Sequence, residues 1–276
     1  MGAPTGAAAV APAAITVNGV AKTFHTRSRA VHALEDAHLE IGAGEFVSLI
    51  GPSGCGKSTL LKLVAGLLET STGDVRVDGE PVSAPLPQVA VSFQKPTLLR
   101  WRNVIDNVCL PLTISGTLDD AGRRRATELL GLMGLDGFER HFPRELSGGM
   151  EQRVAIARSL VSRPSLLLMD EPFGALDEFT REDLNDELLT VWQQEPKTVV
   201  FVTHSISEAV FLSDRVVVMS ARPGRIHDVV PIGLPRPRPR ALRNAPEFYD
   251  VIRDVRSVLD DARGVGTASR QEGAGR

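Results

Sequence analysis

Short apolar runs alternate along this chain with stretches of helical periodicity. Glu45-Phe-Val-Ser-Leu-Ile50, Ser165-Leu-Leu-Leu-Met169 and Thr198-Val-Val-Phe-Val202 have the near-continuous apolar character of strands covered on both faces. Val89-Ala-Val-Ser-Phe93 alternates, and residues 215–219 read as a further strand. Between them, apolar residues fall at helical spacing over Ser58 to Leu68, Glu151 to Val161, 180–194 and 206–212. This order predicts an α/β core built on a parallel sheet. Residues 15 to about 93 are strand-rich, with Asp78-Gly79 as a hairpin turn between Val75-Arg-Val77 and Val82. Residues from about 95 to 160 carry helical patterns such as Ala121 to Met133, which predicts a helical subdomain inserted between the Gln94 and Asp170 strands.

The candidate chemistry sits where strands end. Gly51-Pro-Ser-Gly-Cys-Gly-Lys57-Ser58 joins a strand to a helix and has the spacing G-x-x-x-x-G-K-[ST]. Its glycines let backbone N–H groups converge on a phosphate, and the helix dipole adds attraction. Gly51, Pro52, Ser53, Gly54, Cys55, Gly56, Lys57, Ser58 and Thr59 are therefore the expected nucleotide-binding set, with the Ser58 hydroxyl on Mg²⁺. Asp170 follows a buried strand and is placed to hold the same Mg²⁺. Glu171, one residue on, is free to accept a proton from an attacking water. His204 follows another strand, either as a surface or capping residue or as a contact to the γ-phosphate or that water. Gln94 ends the Val89 strand, with an amide oxygen for the metal and a mobile loop beyond it.

A second glycine-rich turn, Leu146-Ser147-Gly148-Gly149, precedes another helix, with Ser147 a good N-cap. Two glycines cost helix propensity, which makes sense if something must approach closely. One nucleotide rarely needs two such cradles from one domain. The pair points to a site shared between two copies of a protein.

Gly51 to Ser58, Gln94, Leu146 to Gly149, Leu167 to Glu171, Ala175-Leu-Asp177 and His204 together resemble the motifs of an ATP-binding cassette (ABC) transporter ATPase subunit, over residues 15–235. The resemblance implies a P-loop NTPase (RecA-like) fold with an N-terminal antiparallel β region and an inserted helical subdomain. It implies ATP and Mg²⁺ as cofactors, and two subunits packed head to tail as a homodimer. Each ATP would then lie between the Lys57 loop of one subunit and Ser147-Gly148-Gly149 of the other, with Asp177 at the junction. Phe24 falls where the family stacks a ring on adenine, and equally reads as a core residue of the first strand. Met150 departs from the usual signature Gln, without touching the backbone cradle. Gln94-Lys-Pro-Thr-Leu-Leu-Arg-Trp101, Asn103-Val-Ile-Asp-Asn107 and Leu234-Pro-Arg-Pro-Arg238 resemble the nitrate/sulfonate/taurine importer subgroup. That subgroup implies transmembrane permease subunits as partners, a solute-binding protein acting through them, and a peripheral place on the cytoplasmic face of the membrane. The family groove that receives a permease helix corresponds to Leu98, Leu99 and Trp101, which otherwise read as core residues. A soluble ABC-type ATPase acting on nucleic acid or ribosomes is the alternative. Such proteins usually carry two cassettes or a long coiled-coil insertion, and this sequence shows neither.

Composition narrows the choice further. A formal net charge of −3 gives no global bias toward nucleic acid, and Arg123-Arg-Arg125 reads as a solvated helix face. The two cysteines form no disulfide framework and fit a reducing cytoplasm. Cys55, at a helix N-terminus, is an expected target of thiol reagents that ATP should protect. No apolar stretch reaches the roughly 18 residues of a membrane span. Residues 1–14 read as a disordered lead. Pro235-Arg-Pro-Arg-Pro239 reads as a solvated linker that begins the tail, residues 236–276, in which Phe248 to Asp261 reads as an amphipathic helix.

Overall fold

A computed structural model describes residues 13–25, 29–220 and 222–264. Strands β1 (Ala13–His25) and β2 (Ala30–Gly42) pair antiparallel, and β3 (Phe46–Ile50) leads into α1 (Lys57–Val64). Strands β4 (Thr72–Val77) and β5 (Glu80–Pro81) form the hairpin at Asp78-Gly79. After β6 (Val89–Ser92) come α2 (Val104–Val108), α3 (Leu110–Ile114), α4 (Asp120–Leu132) and α5 (Gly148–Leu160). The chain then runs through β7 (Leu166–Asp170), α6 (Glu178–Gln194), β8 (Thr198–Val202), α7 (Ile206–Leu212), β9 (Arg215–Met219), β10 (Ile226–Pro231) and α8 (Pro246–Ala262).

A four-stranded sheet has the order β2-β1-β4-β5, and a six-stranded sheet the order β10-β9-β3-β8-β7-β6. In the larger sheet β9, β3, β8, β7 and β6 run parallel, and β10 is antiparallel to β9. The two-residue period of a strand explains how this sheet serves two cores. Phe46, Leu167, Met169, Val199, Phe201, Val216 and Val218 face the helices, while Val47, Leu49, Leu166, Leu168, Val200, Val202 and Val217 face α1 and the smaller sheet. Both faces are covered, so the central strands are mostly apolar. Because β3, β8 and β7 are neighbours, the loops after Ile50, Val202 and Asp170 emerge side by side at one sheet edge.

Several details differ from expectation. Helix α1 stops at Val64 rather than running to Leu68, because Gly66 turns left-handed (φ 69°) and its N–H returns to the Leu63 carbonyl. Residues 1–12 of the expected lead lie outside the described residues, and Ala13 and Ala14 already belong to β1. Arg125 is not on a solvated face: its side chain is 12% exposed and pairs with Glu195 at 2.6 Å.

The proline-arginine run is not a solvated linker either. Arg238 is buried, and its Nη1 donates to the carbonyls of Val210, Phe211 and Ser213 at 3.0, 2.9 and 2.8 Å, while Nη2 donates to Leu234 at 3.0 Å. It caps the C-terminus of α7, where carbonyls lack helical partners and the dipole favours a cation. Burial lowers its pKa to about 10. Arg236 donates to Asp214 at 2.8 Å and to the Leu212 carbonyl at 2.6 Å, and lies 4.4 Å over the Trp192 ring. Arg238→Ala strands several buried carbonyls and should cost about 3 kcal/mol of stability, read as a lower urea midpoint. An unchanged midpoint would assign the run no structural role.

Candidate active site

The loop after β3 is held in shape by its own lysine. Lys57, 6% exposed, donates from Nζ to the carbonyls of Gly51 at 2.9 Å and Pro52 at 3.1 Å. Gly56 has φ 98°, and a Cβ there would stand 2.6 Å from Leu34 Cδ2 and 2.7 Å from the Ala33 carbonyl. Only glycine fits both the turn and the close packing of β2. A cavity of about 230 Å³ opens here, lined by Ala33, Ser53, Gly54, Gly56, Lys57, Ser58, Thr59 and Glu171. It is concave and lined by the glycine-rich turn and Lys57, which suits a phosphate chain.

The acidic pair meets this loop from β7. Ser58 Oγ donates to Asp170 Oδ1 at 2.7 Å, so a hydroxyl and a carboxylate stand together as hard oxygen donors. Two protein oxygens, completed by phosphate and water, suit Mg²⁺. Among the described residues no cluster of three or more His, Cys, Asp or Glu could hold a metal by itself. Glu171 has φ 45°, a left-handed conformation unusual for a residue with a side chain. Its N–H donates to the Val202 carbonyl at 2.9 Å, which ties this turn to the end of β8. Strain of this kind, about 1–3 kcal/mol, collects at working sites.

Glu171 is also where the outlying residues converge. His204 Nδ1 lies 3.7 Å from Glu171 Oε2, and the imidazole is half-exposed. Gln94 Nε2 donates to the same oxygen at 3.4 Å, so Gln94 meets Glu171 and not the Ser58–Asp170 pair expected of a metal ligand. Beyond it, Arg158 donates to the carbonyls of Pro96 and Thr97 at 2.6 and 3.1 Å, and buried Asn107 brackets Leu99, Arg102 and Asn103. Trp101 projects from this pinned loop, 75% exposed, whereas Leu98 is packed against the helical core.

Other expected residues stand apart. Ser147 caps α5, accepting from Met150 N–H at 3.3 Å, and neither it nor Gly148 or Gly149 lines the Lys57 cavity. Ser147 and Gly148 are exposed. Asp177 caps α6, and its hydrogen bonds from Thr180 hold its carboxyl below the usual range. Phe24 is partly exposed on β1 opposite Val31, with the Lys22 ammonium 5.3 Å from its ring centre, and does not line the cavity. Cys55 is 1% exposed within the core beneath the loop, so the thiol is enclosed and not a ready target for alkylation. A Cβ on Gly224 would fall 1.8 Å from the Cys55 carbonyl, so this distant glycine buttresses the loop. No local signal marks Gly224, because its partners are brought to it only by β2 and β9.

Among the described residues no helix is long and apolar enough to cross a membrane. A family model described as ABC transporter matches residues 34–174. An uncharacterized ABC transporter ATP-binding protein of Methanocaldococcus jannaschii is 47% identical over 90% of this chain and 91% of its own length. The aliphatic sulfonates import ATP-binding protein SsuB of Bacillus cereus (strain ATCC 10987 / NRS 248) is 45% identical over 85% of this chain and 92% of its own. Two dimeric structures of the ATP-binding cassette MJ0796, one in a post-hydrolysis state bound to ADP and Pi, superpose with TM-scores of 0.71 and 0.70 at 34% and 33% identity, each covering 79% of this chain and 98% of theirs. With the glycine-rich turn, the acidic strand end and the histidine gathered at one sheet edge, this chain belongs to the ABC transporter family as an ATP-binding, ATP-hydrolysing subunit.

Proposed function

We propose that the chain powers an importer of an aliphatic sulfonate or a related small solute such as nitrate or taurine. It would bind permease subunits from the cytoplasmic face of the membrane and work as a head-to-tail dimer of identical subunits. The single observation carrying this reading is the long identity with the sulfonate importer subunits, which spans the helical subdomain and the Trp101 loop as well as the phosphate loop.

Water attacks the γ-phosphate of ATP in line, and catalysis comes mainly from positioning and charge stabilisation. Lys57 meets the phosphate oxygens at the centre of its loop. Ser58 and Asp170 would hold Mg²⁺, which neutralises phosphate charge when bound. Glu171 orients or deprotonates the water, and His204 completes its surroundings. The partner's Ser147 loop closes the site. Hydrolysis then removes the differential affinity that favours the closed pair. The contact of Gln94 with Glu171 gives the Trp101 loop a route to sense the γ-phosphate.

The test is reconstitution with permease and solute-binding subunits. ATP-driven uptake of an alkanesulfonate, competed by taurine or nitrate, is the expected result; a complex that ignores all three would refute the solute class. In that complex Trp101→Ala should cut uptake about tenfold while the isolated subunit keeps its ATPase rate, since a fully desolvated aromatic anchor is worth more than about 1–2 kcal/mol at an interface. Unchanged uptake would remove this loop from coupling.

A further inference from the structure

We propose that Arg181 and Glu208 form a positioning link that sets His204 according to the conformation of the Leu176-Asp177 turn. This rests on the roles proposed above for His204 and Asp177.

One end of the link holds the residue before His204. Glu208, in the first turn of α7, is 5% exposed, and its Oε2 accepts a hydrogen bond from Thr203 Oγ1. Thr203 Oγ1 accepts in turn from the Ser205 N–H at 3.0 Å. Thr203, directly before His204, is thus held by the buried carboxylate, and Ser205, directly after it, is held by the Thr203 hydroxyl. Burial pushes that carboxyl above the usual range, and the bond from Thr203 and the charge of Arg181 oppose the shift.

The other end grips the turn that carries Asp177. Arg181 Nη2 donates to the Leu176 carbonyl at 2.8 Å, and its backbone N–H to the Asp177 carbonyl at 3.0 Å. Its Nε faces Glu208 Oε1 at 3.7 Å. Both facing atoms are buried, and neither has a hydrogen-bond partner. The two groups already form an ion pair, each holding another hydrogen bond, and a shift of under about 1 Å would close the facing atoms into a charge-assisted bond. A joint so nearly closed favours one relative placement of the two turns. Movement of the Leu176-Asp177 turn would reach His204 through two side chains. A guanidinium suits this work because it donates in two directions, whereas an ammonium cannot span both partners in the same way.

Arg181→Lys keeps the charge beside Glu208 and loses the fork. Steady-state hydrolysis of Mg-ATP by the full chain should show kcat lowered about tenfold, with KM within about twofold and an unchanged melting temperature. In a His204→Ala background the same substitution should change kcat less than about twofold, because the link has nothing left to position. Thr203→Val, which cuts the link at its far end, should reproduce the kcat loss and combine with Arg181→Lys non-additively. A wild-type kcat in Arg181→Lys, an equal tenfold loss in both His204 backgrounds, or additive losses with Thr203→Val would each overturn the link. Glu171→Gln is measured alongside: parental turnover in that variant would mean that the underlying site is wrong, whereas failure of the link alone leaves Glu171→Gln inactive.

Discussion

Glu171→Gln should lower kcat for ATP hydrolysis by about 10²–10⁴-fold while ATP still binds, the range expected for loss of a general base. The substitution keeps the size of the side chain and the left-handed turn that Glu171 occupies (φ 45°), so the fold has no reason to change. It removes the carboxylate oxygen that His204 approaches at 3.7 Å and Gln94 at 3.4 Å. Without a base the γ-phosphate persists, and with it the affinity that holds two subunits closed. The variant should therefore accumulate as an ATP-bound dimer on size exclusion. Turnover at the parental rate would remove Glu171 from the mechanism.

Gly148→Asp should abolish hydrolysis, by about 10²-fold or more, without harming the isolated subunit. A Cβ at Gly148 meets nothing within 4 Å in the single chain. Replacing glycine at the start of α5 improves helix propensity by a few tenths of a kcal/mol, and an acidic residue in the first turn complements the dipole. The melting temperature should hold or rise. Loss of activity can then arise only from something approaching Gly148 from outside, namely the triphosphate on a partner's Lys57 loop, which a carboxylate would repel. A mixing experiment separates the two halves: combining Lys57→Ala with Gly148→Asp should recover part of the turnover, since one composite site is intact in the mixed pair. Full activity of Gly148→Asp alone would argue that one chain encloses its own nucleotide.

The strands were legible in the sequence because a strand buried on both faces carries a run of apolar residues, as 199–202 and 216–219 do. The turn between β3 and α1 was legible because its glycine spacing encodes its geometry. What escaped was set by tertiary packing. Nothing local distinguishes Arg238, whose neighbours in sequence read as a polar linker, from a solvated arginine; the open carbonyls of α7 bury it. The enclosure of Cys55, the buttress at Gly224 and the left-handed turn of Glu171 likewise depend on strands distant in the chain. The contact of Gln94 with Glu171 was not legible either, because it comes from β6 lying beside β7.

Small-angle scattering of Glu171→Gln with and without Mg-ATP tests the shared site most directly. The expected mass with Mg-ATP is twice that of one chain, falling to the single-chain mass with Mg-ADP. A single-chain mass under saturating, demonstrably bound ATP would contradict it.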